Sequence, residues 1–301
     1  MKNFALIGAA GYIAPRHMKA IKETGHNLVC ALDPYDGIGI MDSYFPEADF
    51  FTEPERFDRH LDKLRRRGEK KIDFVSICSP NYLHDAHIRM ALRNDADAIC
   101  EKPLVLNPWN LDALQEIEAE TGRKIYTILQ LRLHPAIQEL RARVSEGISR
   151  GKVYDVDLQY ITSRGRWYFI SWKGNLQKSG GVATNIGVHF FDMLGWIFGA
   201  FKGVELTVNQ PAKAGGKLWF DHARVNWFLS VDDRDLPPEA MAQGKRTFRR
   251  ISIEGSELEF SEGFTDLHTH SYRHILEGNG FGLADSRKSI EIVSQIRKIS
   301  L

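Results

Sequence analysis

The chain has 301 residues, 43% of them hydrophobic and 26% charged, which leaves room for two globular domains or one large α/β barrel. Its 40 Lys and Arg against 39 Asp and Glu give a formal charge of +1, a balance that argues against a nucleic-acid or acidic-membrane partner. The N-terminal apolar run, residues 4–7, is broken at once by glycine, and no later run reaches about 18 apolar residues, so neither a signal peptide nor a membrane span is expected.

Residues 4–7 read as a first strand ending in Gly8, and residues 15–24 as a helix (Met18, Ile21) stopping at Gly25. A second strand over 28–32 ends in Asp33-Pro34, a helix over 54–67 (Phe57, Leu61, Leu64) is closed by Gly68, and a buried strand over 74–78 is halted by Ser79-Pro80-Asn81. A helix over 84–94, a short strand over 98–100, an amphipathic helix over 111–120 and a strand over 125–130 follow. Strands recurring between helices imply right-handed βαβ crossovers, hence an α/β Rossmann domain with a doubly wound parallel sheet over residues 1–130. After a helix over 135–144 the grammar changes. Segments 153–161, 204–208, 223–231, 249–253 and 257–260 read as strands following strands, which predicts an α+β domain over 131–301 with a large, mainly antiparallel, open-faced sheet. Residues 188–198 form one strongly apolar helix, 286–299 an amphipathic closing one, and 232–244, with Pro237-Pro238, the expected mobile loop.

The basic cluster Lys63, Arg65, Arg66, Arg67, Lys70 and Lys71 is flanked by Glu69 and Asp73 and reads as a solvated helix face. Cys30, Cys78 and Cys100 lie in apolar strand-like segments without metal-type spacing, as reduced buried thiols of a cytoplasmic protein do. His222 and the pair His268 and His270, which alternate as in a strand or loop, lack a convincing metal-ligand arrangement, so no metal is expected.

Gly8-Ala9-Ala10-Gly11-Tyr12-Ile13-Ala14 stands between the first strand and the first helix, spaced G-x-x-G-x-x-A. Glycine there admits a pyrophosphate to the backbone, and a helix N-terminus offers N–H donors to its charge; a plain tight βα turn is the alternative. Asp33, 22 residues after Gly11, is placed to accept from both ribose hydroxyls of NAD and to repel a 2′-phosphate, or to form an Asp-Pro turn. Ser79, Pro80, Asn81 and His84 follow a parallel strand at its ligand-binding end, where Asn81 caps a helix, lies against the cofactor, or both. Lys102, in Glu101-Lys102-Pro103, ends another strand and points to where a substrate alcohol would lie, with a surface salt bridge as the alternative. His189 opens the apolar helix after Gly180-Gly181, one turn beyond Asn185 and three residues before Asp192; a histidine in so buried a helix needs a partner or a task.

These motifs, with Arg132 and Pro135 and the run 180–192, resemble the Gfo/Idh/MocA oxidoreductases over nearly the whole chain. The resemblance implies an NAD cofactor, with Gly8, Gly11, Tyr12, Ile13, Asp33, Ser79, Pro80, Asn81, His84, Glu101, Lys102 and Gln130 at its site. It also implies that Lys102 and His189 carry the chemistry. The family commonly has Asp four residues before the histidine, where this chain has Asn185. A narrower similarity, to the UDP-N-acetylglucosaminuronate 3-dehydrogenases of bacterial surface-polysaccharide pathways, rests on residues 11–17, on Ser171-Trp172-Lys173-Gly174-Asn175 and on Asn185. It implies a nucleotide-sugar substrate, 2-oxoglutarate as a second one, and a homo-oligomer, dimer or tetramer. Arg164, Arg166, Trp172, Lys173 and Asn185 would join Lys102 and His189 around the sugar. Oxidation of a free sugar or inositol, and a non-catalytic NAD-dependent sensor, are the competing functions.

Overall fold

The computed structural model describes residues 1–68, 70–258 and 266–299. Its first elements are β1 (Asn3–Ile7), α1 (Ala14–Glu23), β2 (Asn27–Leu32), β3 (Asp49–Phe51), α2 (Pro54–Arg67), β4 (Phe74–Ile77), α3 (His84–Arg93), β5 (Asp97–Cys100), α4 (Pro108–Thr121) and β6 (Ile125–Thr127). Then come α5 (Pro135–Ile148), β7 (Tyr154–Thr162), the short α6 (Trp167–Ile170) and α7 (Leu176–Ser179), α8 (Val188–Phe198), β8 (Phe201–Gln210), β9 (Lys213–Phe220) and β10 (Ala223–Ser230). The chain ends with α9 (Pro238–Ala242), β11 (Thr247–Ile253), β12 (Ser256–Glu257), α10 (Leu267–Leu276) and α11 (Leu283–Lys298). No helix among the described residues is long and apolar enough to cross a membrane.

The chain divides into two compact units, Met1–Gln130 with Thr265–Ser286, and Leu131–Phe264 with Arg287–Leu301. The sequence reading kept 131–301 together; the segment that includes α10 instead belongs to the first unit. Leu267, His268, Tyr272 and Ile275 on α10 are buried, and the Tyr272 ring stacks 5.8 Å from Phe4 of β1. An amphipathic pattern shows that a helix has an inner face, not which sheet it returns to.

In the first unit all strands are parallel, in the order β3-β2-β1-β4-β5-β6. Crossovers diverge between β1 and β4, the topological switch point, where ligands bind beyond the strands' C-terminal ends. Helices cover both faces, so β4 is buried at every position. Proline opens α1, α2 and α4, while Gly68 and Gly122 close α2 and α4 with left-handed φ of 70° and 66°.

The second unit carries a six-stranded sheet in the order β12-β11-β7-β10-β9-β8. It is mixed rather than wholly antiparallel, because β10 runs parallel to β7. Alternate residues of β7 and β10 are exposed (Asp155, Asp157, Arg224, Asn226), the pattern of a sheet packed on one face. Onto the packed face comes α8, its Phe191 ring 5.1 Å from Trp227. Two strands were not foreseen. β3 is only 3 residues long, and β9 contains Gly215-Gly216, which reads as a turn. A Cβ at Gly215 would lie 2.9 Å from the Trp227 carbonyl oxygen, so glycine is what lets β9 close on β10. The expected loop at 232–244 holds a 3₁₀ turn, Asp233–Asp235, and α9. Of the expected strand at 257–260, β12 contributes Glu257, while 259 and 260 lie outside the described residues.

Candidate active site

At the end of β1 the chain turns through Gly8, whose φ is +93°; a Cβ there would sit 2.7 Å from backbone atoms of Cys78 and Ser79. Glycine thus brings the β1 and β4 ends together at the switch point. The Gly8 N–H donates to Leu32 O (2.8 Å), the Ala10 N–H to Asp33 Oδ2 (3.0 Å) and the Gly11 N–H to Gly8 O (3.0 Å). Next in the chain, the N–H groups of Tyr12 and Ile13 meet no acceptor among the described residues. They stand just ahead of α1, where backbone donors and the helix dipole receive a phosphate. Buried Asp33 accepts from Ala10 and, through Oδ1, from the Tyr35 N–H (2.9 Å), and is in no ion pair among the described residues. It therefore both shapes the turn and retains acceptor capacity for ribose hydroxyls. Gln130 opens a 3₁₀ turn with its buried Oε1 meeting no partner among the described residues, a further polar atom suited to a ligand. This donor and acceptor set fits a dinucleotide.

Asn81 begins a 3₁₀ turn after Ser79-Pro80, and its side chain is buried. His84 at the start of α3 joins two loops: its Nε2 is 2.8 Å from Ser79 O and its Nδ1 2.8 Å from Pro103 O. The Lys102–Pro103 peptide is cis, and Lys102 is half-buried. The Glu101 carboxylate is turned into the unit, where His17 of α1 and His268 of α10 meet it. Burial alone would raise the Glu101 carboxyl, but hydrogen bonds from both histidines, with the nearby Lys102 charge adding, hold it well below the usual carboxylate range. His268, expected in a strand or loop beside His270, is helical and joins His17 instead. Sequence reasoning passed over His17, although it lies on the apolar stripe Ala14, His17, Met18, Ile21, where a buried polar side chain signals a partner.

In the second unit, a π-helical turn, Ala183–Gly187, leads into α8. It carries Asn185, whose amide donates to the buried Tyr168 hydroxyl (3.2 Å), and one turn on lies half-buried His189, its ring 4.2 Å from that of Phe190. Asp192 makes a buried bidentate pair with Arg132, at 2.7 and 3.0 Å. Exposed Arg164 and Arg166 line a cavity of about 560 Å³ with Phe169, Val231 and Arg234. Arg234 is paired with Asp232, which that guanidinium holds at a pKa of about 2. Lys173 sits 4.3 Å from the Trp172 ring centroid and 5.7 Å from that of Trp167, a cation stacked on aromatic faces. α6 carries both Trp167 and Phe169, so the expected cations share one neighbourhood.

Residues 2–128 match an oxidoreductase family described as having an NAD-binding Rossmann fold, and residues 146–226 match that family's C-terminal alpha/beta domain. The WlbA (WbpB) dehydrogenase of Thermus thermophilus, solved with NAD and UDP-GlcNAcA and also with NAD and alpha-ketoglutarate, is 52% identical. The match covers 100% of this chain and 96% of that one, with a TM-score of 0.95. The chain spans about half the length of the curated relatives it matches. It is 30% identical over 141 residues to D-glucoside 3-dehydrogenase of Escherichia coli K12 (45% of this chain, 39% of the relative), and 26% identical over 200 residues to inositol 2-dehydrogenase of Rhizobium meliloti (65% and 55%). With both family domains matched in order and a close full-length relative, the chain belongs to the Gfo/Idh/MocA oxidoreductase family, and its cofactor is NAD.

Proposed function

We propose that this enzyme oxidises the C3 hydroxyl of a UDP-N-acetylglucosaminuronate-type nucleotide sugar to the 3-keto sugar. The observation that carries the reading is full-length similarity, at 52% identity, to a dehydrogenase solved with NAD and that sugar nucleotide. NAD, when bound, supplies the hydride acceptor. The hydroxyl proton passes to His189, because a neutral imidazole accepts it readily near pH 7, while the Lys102 ammonium stabilises the developing alkoxide. The reverse assignment of these two roles is the alternative. Tyr12 and Ile13 N–H groups receive the cofactor pyrophosphate and Asp33 the ribose, with Gly8, Gly11, Ser79, Pro80, Asn81, His84 and Gln130 completing its site. Arg164, Arg166 and Lys173 offer cations to the uronate carboxylate or the pyrophosphate, beside Trp172 and Asn185. The enzyme works in the cytoplasm as a homo-oligomer. NADH formation with this sugar nucleotide, and a 3-keto product by mass spectrometry, would support the reading. Turnover of inositol or a free sugar instead, or no turnover with tight NAD binding, would replace it.

A second reading is favoured by the relative solved with alpha-ketoglutarate: NADH is reoxidised on the protein by that 2-oxoacid. Hydride and proton then pass to its carbonyl carbon and oxygen, giving 2-hydroxyglutarate and restoring NAD. Both substrates present a carboxylate, so one set of cations serves them in turn. Adding 2-oxoglutarate to enzyme-bound NADH should bleach its absorbance; indifference to every 2-oxoacid tried would end this reading and leave the dehydrogenase standing.

A further inference from the structure

Glu101 immediately precedes Lys102, yet its carboxylate is committed inside the first unit. Oε1 lies 2.8 Å from His268 Nε2 and 3.2 Å from His17 Nε2, while Oε2 accepts from the Lys102 backbone N–H at 3.3 Å. Beyond His17, the Tyr272 hydroxyl is 2.8 Å from Nδ1 and 2.6 Å from Ser76 Oγ. Glu101, His17, His268, Tyr272 and Ser76 are all buried, with exposures of 7% or less.

An ionised carboxylate only accepts, so both Nε2 atoms carry hydrogen. His17 Nδ1 is then a bare acceptor for Tyr272, whose oxygen in turn accepts from Ser76. Donors and acceptors match along the row Ser76, Tyr272, His17, Glu101. Among the described residues the buried His268 Nδ1 meets no acceptor, so nothing there calls for a hydrogen on it. Burial lowers the His17 pKa, which agrees with a neutral ring. The separations of 2.8 and 3.2 Å are hydrogen-bond lengths; around a tetrahedral metal about 2.0–2.2 Å from each atom, the ligand atoms would stand about 3.3–3.6 Å apart.

We propose that His17 and His268 clamp Glu101 and make it a positioning residue for Lys102; this rests on the reading of Lys102 as a group that touches the substrate. A lysine side chain is long and flexible, so its aim depends first on where the fold holds its backbone. Clamping Glu101 fixes the peptide that Lys102 donates from. On the other side of Lys102, His84 holds the Pro103 carbonyl at 2.8 Å. Lys102 is therefore gripped through both neighbours. A buried ion with three hydrogen bonds costs more desolvation than an apolar filler of the same volume, so core packing alone gives no reason for it.

The test is a double-mutant cycle with Lys102→Met. Glu101→Gln should lower kcat about 10- to 100-fold, as misplacement by a fraction of an ångström does, with KM and the NAD dissociation constant within about 3-fold of wild type. In the Lys102→Met background the same substitution should change the residual kcat by less than about 3-fold. Nitrogen-15 spectra of the apo protein should show His17 and His268 protonated at Nε2. Should Glu101→Gln fail to fold, His268→Gln should give the same pattern with a smaller loss. Normal kcat in Glu101→Gln, or an equal loss in both backgrounds, overturns the clamp while leaving Lys102 in its role. A fully active Lys102→Met removes the reading of Lys102, and the clamp falls with it.

Discussion

Acid should weaken this fold in a defined window, and His87 allows the effect to be sized. His87 is buried on α3 with Nδ1 2.8 Å from Ser79 Oγ; burial, with the charge of His84 adding, pushes its pKa down to about 4. Above the ordinary histidine value of about 6.5, folded and unfolded chains hold the same neutral ring, and His87 gives stability no pH dependence. Below it, the unfolded chain takes up a proton that the folded chain refuses. Stability is then lost as pH falls from about 6.5 to about 4, at about 1.4 kcal/mol per pH unit, for a total of roughly 3 kcal/mol. Burial lowers His17 and His84 as well, so they act in the same direction. Urea unfolding followed by tryptophan fluorescence between about pH 7 and about pH 4.5 measures the slope. His87→Gln, which keeps a hydrogen-bonding partner for Ser79, should recover roughly 2.5 kcal/mol of the loss across that range. Parallel slopes in variant and wild type would show that His87 takes its proton in the folded state at the ordinary pH.

Three further outcomes follow from the site. NAD should bind well ahead of NADP, by on the order of 2 kcal/mol, because Asp33 sets an unneutralised like charge against a 2′-phosphate; equal dissociation constants, or no erosion in Asp33→Gly, would count against its role. Lys102→Met and His189→Asn should each lose at least about 100-fold in turnover while still binding NAD, and a near-normal His189→Asn enzyme would remove that residue from catalysis. Gly8→Ala should lower stability by more than about 2 kcal/mol, since left-handed backbone strain adds to a clash with backbone atoms 2.7 Å away; an unchanged melting temperature would show that the β1 turn relaxes freely.

The cofactor half was legible because local rules govern it. Glycine at φ +93° after a buried strand, proline opening α1 and an acid ending β2 each announce themselves in a few residues. Strand β9 was hidden because Gly215-Gly216 looks like a turn until the strand facing it is known. The parallel β7–β10 pair and the return of α10 depend on partners some 70 and 250 residues away, and no window of sequence carries that information. His17, Glu101 and His268 are of the same kind: only the folded chain makes them one cluster. Lys102 and His189 were found through motif and chemistry, and their roles rest on the kinetics proposed above.

Asn185, the departure from the family pattern, has a physical counterpart in the structure. Its amide donates to the Tyr168 hydroxyl, whose pKa burial raises, so a neutral phenol is met by a neutral donor. An aspartate at 185 would place a charge against that phenol and, one helical turn before His189, would favour the imidazolium. The histidine would then be a stronger base and a weaker acid. An enzyme that only oxidises gains from that. One that alternates oxidation of a sugar with reduction of a 2-oxoacid must accept a proton in the first half and return it in the second, which favours a group whose two forms are balanced near the working pH. A neutral residue 185 places no carboxylate one turn before His189, which on the recycling reading suits a histidine that must accept a proton in one half-reaction and return it in the other.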